Sequence, residues 1–178
     1  MNIFYLDRDP EKCARFHEDK HCYKMIVEYA QLLSTAHRVL DGTEIQGVSK
    51  SGRKQKQWKL NNYLDQVMYK ASHVNHPSAV WVRQSKRNYY WLYELMFWLS
   101  QEYTSRYGKV HKTWRDLSSA LVFAPTNSPD AEYTDPPLCM PDYCKLDDAV
   151  LSYRKLYREE KSSFAQWNHS PTPEWYNA

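Results

Sequence analysis

The chain has 178 residues, and its 24 Lys and Arg against 21 Asp and Glu leave a formal net charge of only +3. This length fits one domain and is enough to bury a core without a disulfide or a metal. The small charge does not by itself indicate a polyanionic partner. No apolar stretch approaches the roughly 20 residues of a membrane span, and no signal peptide is visible. We therefore expect a cytoplasmic protein with no membrane partner.

Tyr and Trp are abundant, with 15 and 7 copies, whereas Gly occurs only 4 times. Few glycines and few runs of β-branched residues favour helices over strands. We therefore predict an all-α fold, a mainly helical single domain over residues 1–178 with long irregular loops. The rings suit half-buried core positions, and they also suit stacking on nucleic-acid bases.

The clearest predicted element is a helix over residues 19–40. Apolar residues recur there every three or four positions, from Cys22 to Leu40, and an Asp-Gly pair favours its end. Before it, an Asp-Pro pair favours a helix start after a short extended segment. The other helices are predicted over residues 10–18, 60–71, 78–84, 87–107, 113–121 and 147–165.

Three segments are predicted to be irregular. Residues 43–59 carry a run of basic side chains and only one acidic one, which indicates either a mobile basic loop for a polyanion or an ordinary solvated loop. Residues 124–144 are expected to form a Pro-rich loop and residues 167–178 an extended tail. The basic residues of the first segment are Lys50, Arg53, Lys54, Lys56 and Lys59.

A line of polar residues runs along one side of the 19–40 helix and begins just before it. Its members step by three or four positions, which keeps them in one narrow sector of a helix. They are His17, His21, Lys24, Glu28, Gln31 and Thr35. Two imidazoles, an amine and a carboxylate can transfer protons. We therefore predict that the first four line a catalytic cleft; a solvent-exposed face is the alternative.

His17 and His21 also satisfy the H-E-x-x-H spacing with which two imidazoles bind zinc. No third ligand follows at a recognisable interval. The four cysteines form no C-x-x-C pair, and thiols of a cytosolic chain are usually reduced. We therefore expect neither a bound metal nor another cofactor.

Two further clusters suit contact with nucleic acid. One is the turn before Pro77 together with the helices that follow, and the other is a group of tyrosines and an arginine near the C-terminus. A structural turn and a solvated helix face are the alternatives. The predicted contact residues are Asn75, His76, Arg83, Lys86, Arg87, Tyr153, Arg154 and Tyr157, with Arg53 and Lys54 of the basic loop.

Two segments, DKHCYKMIVEYAQLL and HVNHPSAVWVRQSKRNYYWLYE, and a closing Trp-Tyr pair resemble the pyrimidine-dimer DNA glycosylase family, typified by the phage endonuclease V. The resemblance covers about a third of the chain. It implies that the N-terminal α-amino group attacks C1′ of the sugar and forms a Schiff base, and that Glu28 assists. It also implies that phosphate or a flipped nucleotide is bound by His21, Lys24, Arg83 and Arg87.

The chain departs from that family at its second residue. The attacking amine of the family belongs to a small residue that is exposed when Met is removed. Here Asn2 is large enough that we expect Met1 to be retained. Lys24 is then an alternative amine, because a lysine near other cations or in an apolar wall becomes a better nucleophile.

These observations predict a phage-type DNA-processing enzyme, a glycosylase and abasic-site lyase or a related base-modifying activity. The predicted partner is a nucleic acid, most simply DNA, or a nucleotide. Two alternatives stay open: a non-enzymatic accessory factor that binds nucleic acid or protein, and an enzyme acting on a free nucleotide or modified base. The sequence leaves the oligomeric state open.

Overall fold

The computed structural model describes residues 1–49 and 51–177. The fold is mainly helical, as predicted, but a β-hairpin corrects the all-α class. The helices are α1 Pro10–Phe16, α2 Asp19–Asp41, α3 Leu64–Val67, α4 Pro77–Val82, α5 Lys86–Tyr107, α6 Lys112–Leu121 and α7 Ala149–Glu160. The strands are β1 Thr43–Val48 and β2 Lys54–Lys59, and short 3₁₀ turns cover Asp142–Cys144 and Glu174–Tyr176. In the described ranges, no helix combines the length and the apolar character needed to cross a membrane.

Helix α2 is central because its apolar stripe faces several partners at once, as the three- and four-residue spacing predicts. It packs against α4, α5 and α6. Glu18 caps its first turn: the carboxylate accepts from the backbone N–H groups of Lys20 at 2.8 Å and His21 at 2.6 Å. The helix ends at Asp41, one residue beyond the prediction.

The N-terminal segment is an extended run that enters the core. Residues 3–6 are each at most 6% exposed. Burial of four apolar side chains in a row fixes the path of the chain from its first residues. Helix α1 then begins at Pro10 under the Asp9 cap, as predicted, and ends at Phe16.

Residues 43–48 and 54–59 pair as a β-hairpin, which corrects the predicted mobile loop. The two strands pair antiparallel, with Thr43 opposite Lys59 and Val48 opposite Lys54. Pairing gives the backbone groups of this polar segment partners within the protein. Lys50, one of its predicted basic residues, lies outside the described residues.

The predicted helix over residues 60–71 is reduced to the single turn of α3, because a buried guanidinium binds the carbonyl groups of this segment. Arg38 is fully buried. It donates to the carbonyl oxygens of Asp65 at 2.9 Å, Met68 at 3.0 Å and Tyr69 at 2.6 Å. It also donates to the Trp58 carbonyl at 2.9 Å and pairs with the Asp65 carboxylate at 2.6 Å. Arg38 therefore fixes both this segment and the base of the hairpin to α2.

The Pro-rich segment has no helix or strand before the 3₁₀ turn at its end. It is nevertheless bonded to the helices: the indole N–H of Trp81 donates to the Thr134 carbonyl at 3.0 Å, and the Thr134 N–H donates to Asn88 Oδ1 at 3.0 Å. These bonds satisfy polar groups that irregular backbone would otherwise leave unpaired. The segment is therefore a fixed part of the site described below.

The tail packs against the body of the protein. Trp167 is 9% exposed, and its indole N–H donates to the Phe16 carbonyl at 3.2 Å. Arg158 of α7 donates to the Trp175 carbonyl at 3.0 Å. Ala178, the last residue of the predicted tail, lies outside the described residues.

Candidate active site

The N-terminal amine lies beside the carboxylate of Glu28. The α-amino nitrogen of Met1 is 3.8 Å from Glu28 Oε2, and the Asn2 N–H donates to the same oxygen at 3.3 Å. Glu28 projects from the middle of α2 at the edge of the core, with 17% of its side chain exposed. The buried path of residues 3–6 brings the start of the chain to this point.

A second amine flanks Glu28 on its other side. Lys24 lies one turn earlier on α2, and its Nζ is 3.4 Å from Glu28 Oε1. The Lys24 side chain is 56% exposed, whereas that of Met1 is 3% exposed. Each carboxylate oxygen therefore faces one amine.

An open groove of about 440 Å³ follows the exposed side of α2 at this place. We call it the Glu28 groove; its lining residues are Tyr23, Lys24, Val27, Glu28, Gln31 and His111. His111 belongs to the start of α6, where its ring accepts from the Thr113 N–H at 3.2 Å. Lys24 and Glu28 both line the groove, so a ligand there contacts the Lys24 amine and the carboxylate, and Glu28 links the groove to the Met1 amine behind it.

The turn before α4 is fixed to α2 by Thr35. Thr35 Oγ1 accepts from the Ser72 N–H at 3.2 Å and lies 3.4 Å from the Ser72 carbonyl oxygen. Four residues later, His76 caps α4: its Nδ1 accepts from the Ser78 N–H at 3.2 Å. This acceptor role leaves Nε2 of the neutral ring to carry the proton.

His76 is also coupled to the amine and to Glu28 by charge. Burial lowers the pKa of His76, the charges of the Met1 amine and His73 lower it further, and Glu28 raises it. His73 and Asn75 are exposed on the same turn. Of the two predicted contact residues of this turn, His76 is therefore coupled to Glu28 and the amine, and Asn75 lies one residue before it.

Asn2 is held by residues that the sequence did not lead us to place at this site. Its Nδ2 donates to the Cys139 carbonyl at 3.1 Å. The Tyr153 hydroxyl lies 2.9 Å from Asn2 Oδ1 and 2.6 Å from the Pro137 carbonyl oxygen. The Pro-rich segment and α7 therefore position the first residues together. In the sequence, only the cluster of prolines indicates that this segment has a fixed conformation.

His17 and His21, predicted to be catalytic, are core residues. They are 0% and 5% exposed. His17 Nε2 lies 2.8 Å from the Tyr29 hydroxyl oxygen, and His21 Nδ1 lies 2.7 Å from that of Tyr157. Burial lowers the pKa of His17 to about 4 and that of His21 to about 2. His17 ends α1 instead of joining α2, and Phe4 stacks on His21 with ring centroids 4.2 Å apart, so neither imidazole reaches the groove.

Of the predicted contact residues of α7, the two tyrosines face the interior, whereas Arg154 is partly exposed but bound to the N-terminal segment. Tyr153 and Tyr157 are 0% exposed. Arg154 donates to the Leu6 carbonyl at 2.9 Å and pairs with Asp7 at 3.2 Å. The prediction fails here because the i, i+4 spacing that would align rings for a ligand aligns them against the N-terminal segment instead.

The remaining predicted cations do not line the Glu28 groove. Arg83 donates to the carbonyl groups of Val74 at 2.8 Å and Ala79 at 3.0 Å, so it fixes the turn before α4. Arg87 pairs with Glu132 of the Pro-rich segment. The Lys86 backbone N–H donates to the Pro129 carbonyl of the same segment at 2.9 Å. Arg53 and Lys54 are exposed on the hairpin.

The chemistry available at the Glu28 groove is that of an amine next to a carboxylate. A carboxylate that accepts a proton from an ammonium group leaves a neutral amine, which attacks electrophilic carbon. Such a pair can form an imine with an aldehyde. Lys24, whose Nζ is 3.4 Å from Glu28 Oε1, adds a cationic donor that suits an anionic ligand.

Neither a metal cluster nor a known relative narrows this chemistry further. Within the described ranges, no three His, Cys, Asp or Glu side chains are grouped so that they could hold a metal ion. No protein-family model, no curated protein and no solved structure matches the chain.

Proposed function

We propose that the protein is a DNA glycosylase or abasic-site lyase whose nucleophile is the N-terminal amine and whose general base is Glu28. The observation that carries the proposal is the 3.8 Å approach of the Met1 nitrogen to Glu28 Oε2. The resemblance to the pyrimidine-dimer glycosylases implies the same two groups, and the geometry supports them without using the resemblance. The proposal applies to a chain that begins at Met1.

The proposed reaction begins with proton transfer from the Met1 ammonium group to Glu28. The neutral amine attacks C1′ of an abasic deoxyribose in its aldehyde form, and loss of water gives a protonated imine. Removal of the C2′ proton then breaks the C3′–O bond, and the phosphate leaves with the electron pair. Water hydrolyses the imine and returns the amine. On a nucleotide that still carries its base, the base leaves from C1′ with the electron pair of the glycosidic bond.

The N-terminal amine is the preferred nucleophile of the two that flank Glu28. The Met1 amine is held in one place by the buried residues that follow it, whereas the Lys24 amine ends a flexible side chain that is 56% exposed, and a fixed nucleophile reacts faster. We assign to Lys24 a different task, since its exposed ammonium group can hold the carboxylate and contact a phosphate.

His76 is the proposed donor to the sugar or its phosphate. Its Nδ1 is occupied by the Ser78 N–H at 3.2 Å, so Nε2 is the atom available to a ligand. The exposed side chains of His73 and Asn75 extend the same donor surface. A flipped nucleotide in the Glu28 groove would contact Lys24 and Glu28, and its sugar would approach the Met1 amine past the Glu28 carboxylate.

The test compares cleavage of an abasic duplex by the wild-type protein and by Glu28→Gln. The amide keeps the size of the side chain and an acceptor for the Asn2 N–H, but it does not take up a proton. We expect turnover to fall by at least about 100-fold, with DNA affinity unchanged. The control is Glu159→Gln, which removes one negative charge at an exposed position of α7. It should keep full turnover.

Two outcomes would overturn the proposal. A wild-type protein that binds DNA but leaves the abasic strand intact would be the non-enzymatic accessory factor. Equal turnover in Glu28→Gln and Glu159→Gln would remove Glu28 from the chemistry.

A further inference from the structure

The two ends of the Glu28 groove differ. Along α2 its lining runs from Tyr23 past Glu28 to Gln31. Thr35, one turn beyond Gln31 on the same side of the helix, is fully buried and accepts from the Ser72 N–H at 3.2 Å. The groove therefore ends at Gln31 on this helix, whereas at the other end the Tyr23 side chain is 46% exposed.

The positive charge of the groove lies at the Tyr23 end. The Lys24 side chain is 56% exposed there. On the wall formed by α6, burial lowers the pKa of His111 and a hydrogen bond to the Tyr23 backbone raises it, which places this ring at the same end. In the described part of the chain, Glu28 is the only carboxylate of the lining. A phosphate group is therefore attracted to the Tyr23 end.

Gln31 offers a free amide at the closed end. The side chain is half-buried and lines the groove, and none of the described residues forms a hydrogen bond with its amide. An amide carries a donor next to an acceptor, and the edge of a nucleobase pairs with this pattern. Val27, one turn earlier on the same wall, adds apolar surface.

Lys24, Glu28 and Gln31 follow the order of the parts of a nucleotide. Relative to Glu28, Lys24 lies about 6 Å earlier and Gln31 about 4.5 Å later along the axis of α2. With the sugar beside Glu28, the phosphate lies towards Lys24 and the base towards Gln31. The reverse order would direct the phosphate, through which a strand continues, into the closed end. A base has no continuation, so the closed end suits it.

We infer that Gln31 recognises the base of the nucleotide whose sugar lies beside Glu28. The substrate class is then a nucleotide that still carries its base, so release of the base precedes any cleavage at an abasic site. The inference rests on the proposed function for the position of the sugar. Recognition of the base itself is measured by binding alone.

The experiment measures dissociation constants by isothermal titration calorimetry for the deoxynucleoside 5′-monophosphates of adenine, cytosine, guanine, thymine and uracil. The reference ligand, called the furan phosphate, is the phosphate of the tetrahydrofuran analogue of deoxyribose. It has no base and no aldehyde form, so it cannot form an imine.

The test variant is Gln31→Met, which keeps the length of the side chain and removes the amide. The matched control is Gln101→Met at an exposed position of α5. Lys24→Gln and Tyr23→Leu probe the open end of the groove.

At least one nucleotide should bind the wild-type protein about tenfold more tightly than the furan phosphate, because its base pairs with the amide. Gln31→Met should remove this difference, and Gln101→Met should retain it. Lys24→Gln should weaken the furan phosphate and the nucleotides by the same factor, up to about fivefold.

Four results would overturn the inference. The furan phosphate could bind as tightly as every nucleotide, or the base-dependent difference could be equal in Gln31→Met and Gln101→Met. Nucleotide binding that does not respond to Lys24→Gln would place the ligand outside the Glu28 groove. A difference that is lost in Tyr23→Leu and retained in Gln31→Met would show that the base stacks on Tyr23, in the reverse order.

Failure of the proposed function is distinguishable, because binding of these ligands requires no imine. A protein that shows Gln31-dependent binding but leaves an abasic duplex intact would lose the proposed function alone. Glu28-dependent cleavage of that duplex without Gln31-dependent binding would overturn the inference alone.

Discussion

Tyr153 and Asn2 are joined across the length of the chain: the buried tyrosine hydroxyl lies 2.9 Å from Asn2 Oδ1. The same hydroxyl reaches the Pro137 carbonyl oxygen at 2.6 Å. Helix α7 thereby holds the first residues against the Pro-rich segment. The position of the Met1 amine beside Glu28 therefore depends on Tyr153, which does not line the Glu28 groove.

Tyr153→Phe should therefore slow the reaction more than it destabilises the fold. The ring is kept, so the free energy of unfolding should fall by only about 1 kcal/mol. The rate of imine formation with an abasic duplex should fall about tenfold or more, because the amine loses its fixed position.

Tyr157→Phe is the matched control for that variant. It also removes a fully buried hydroxyl, here 2.7 Å from His21 Nδ1, and should cost similar stability. It should leave the rate of imine formation unchanged. Equal rates in the two variants would show that Tyr153 does not position the amine.

Arg38 of α2 is expected to be the position whose substitution most destabilises the hairpin and the 60–71 segment. Arg38→Met would leave Asp65 and several backbone carbonyl groups without their donor, so we expect a loss of about 3–5 kcal/mol in urea unfolding. Arg38→Lys should also destabilise, because one ammonium group cannot bind so many acceptors in a plane. Arg87→Gln breaks the exposed pair with Glu132 and should cost at most about 1 kcal/mol. Similar losses at positions 38 and 87 would contradict this account.

Stability should fall as the pH drops below that of neutral solution. Burial lowers the pKa of His17 to about 4 and that of His21 to about 2, whereas an unfolded histidine titrates near about 6.5. Below about 6.5 the unfolded chain binds protons that the folded chain does not, so the stabilisation is complete above that pH and is lost progressively towards the folded values. Glu18, whose pKa is raised by burial, acts in the opposite direction at the acid end.

His17→Gln isolates this effect, because glutamine can bond to the Tyr29 hydroxyl but does not titrate. Between pH 6 and pH 5, the slope of the unfolding free energy should decrease by up to about 1.4 kcal/mol per pH unit relative to the wild-type protein. Asn168→Gln, a change at an exposed position that removes no titratable group, should leave the slope unchanged. The slopes come from urea unfolding at several pH values, and an unaltered slope in His17→Gln would refute the burial argument.

The helices could be predicted from the sequence where one stripe of side chains determines them. The spacing of apolar residues in α2 and the Asp9 cap of α1 are local signals, and both predictions are confirmed. The hairpin was missed because β2 consists of lysines and glutamines around a single tryptophan and has no apolar face. The 60–71 helix was overpredicted because Arg38, more than twenty residues earlier, takes the carbonyl groups that a helix would use.

The residue types of the candidate site can be selected from the sequence, whereas the contacts between them cannot. Glu28 and Lys24 stand out by their spacing, and the amine follows from the family resemblance. Their approach depends on residues 3–6 entering the core, which no local pattern specifies. The same burial removes His21 from the site, because Phe4 covers its ring at 4.2 Å.

Borohydride trapping tests the central claim most directly. The protein, tagged only at its C-terminus, is mixed with an abasic duplex and reduced, and the linked peptide is identified by mass spectrometry. The account predicts a covalent adduct on the Met1 nitrogen that is retained in Lys24→Gln and abolished when a residue is added before Met1. Absence of an adduct, or an adduct on Lys24 that survives the added residue, would contradict it.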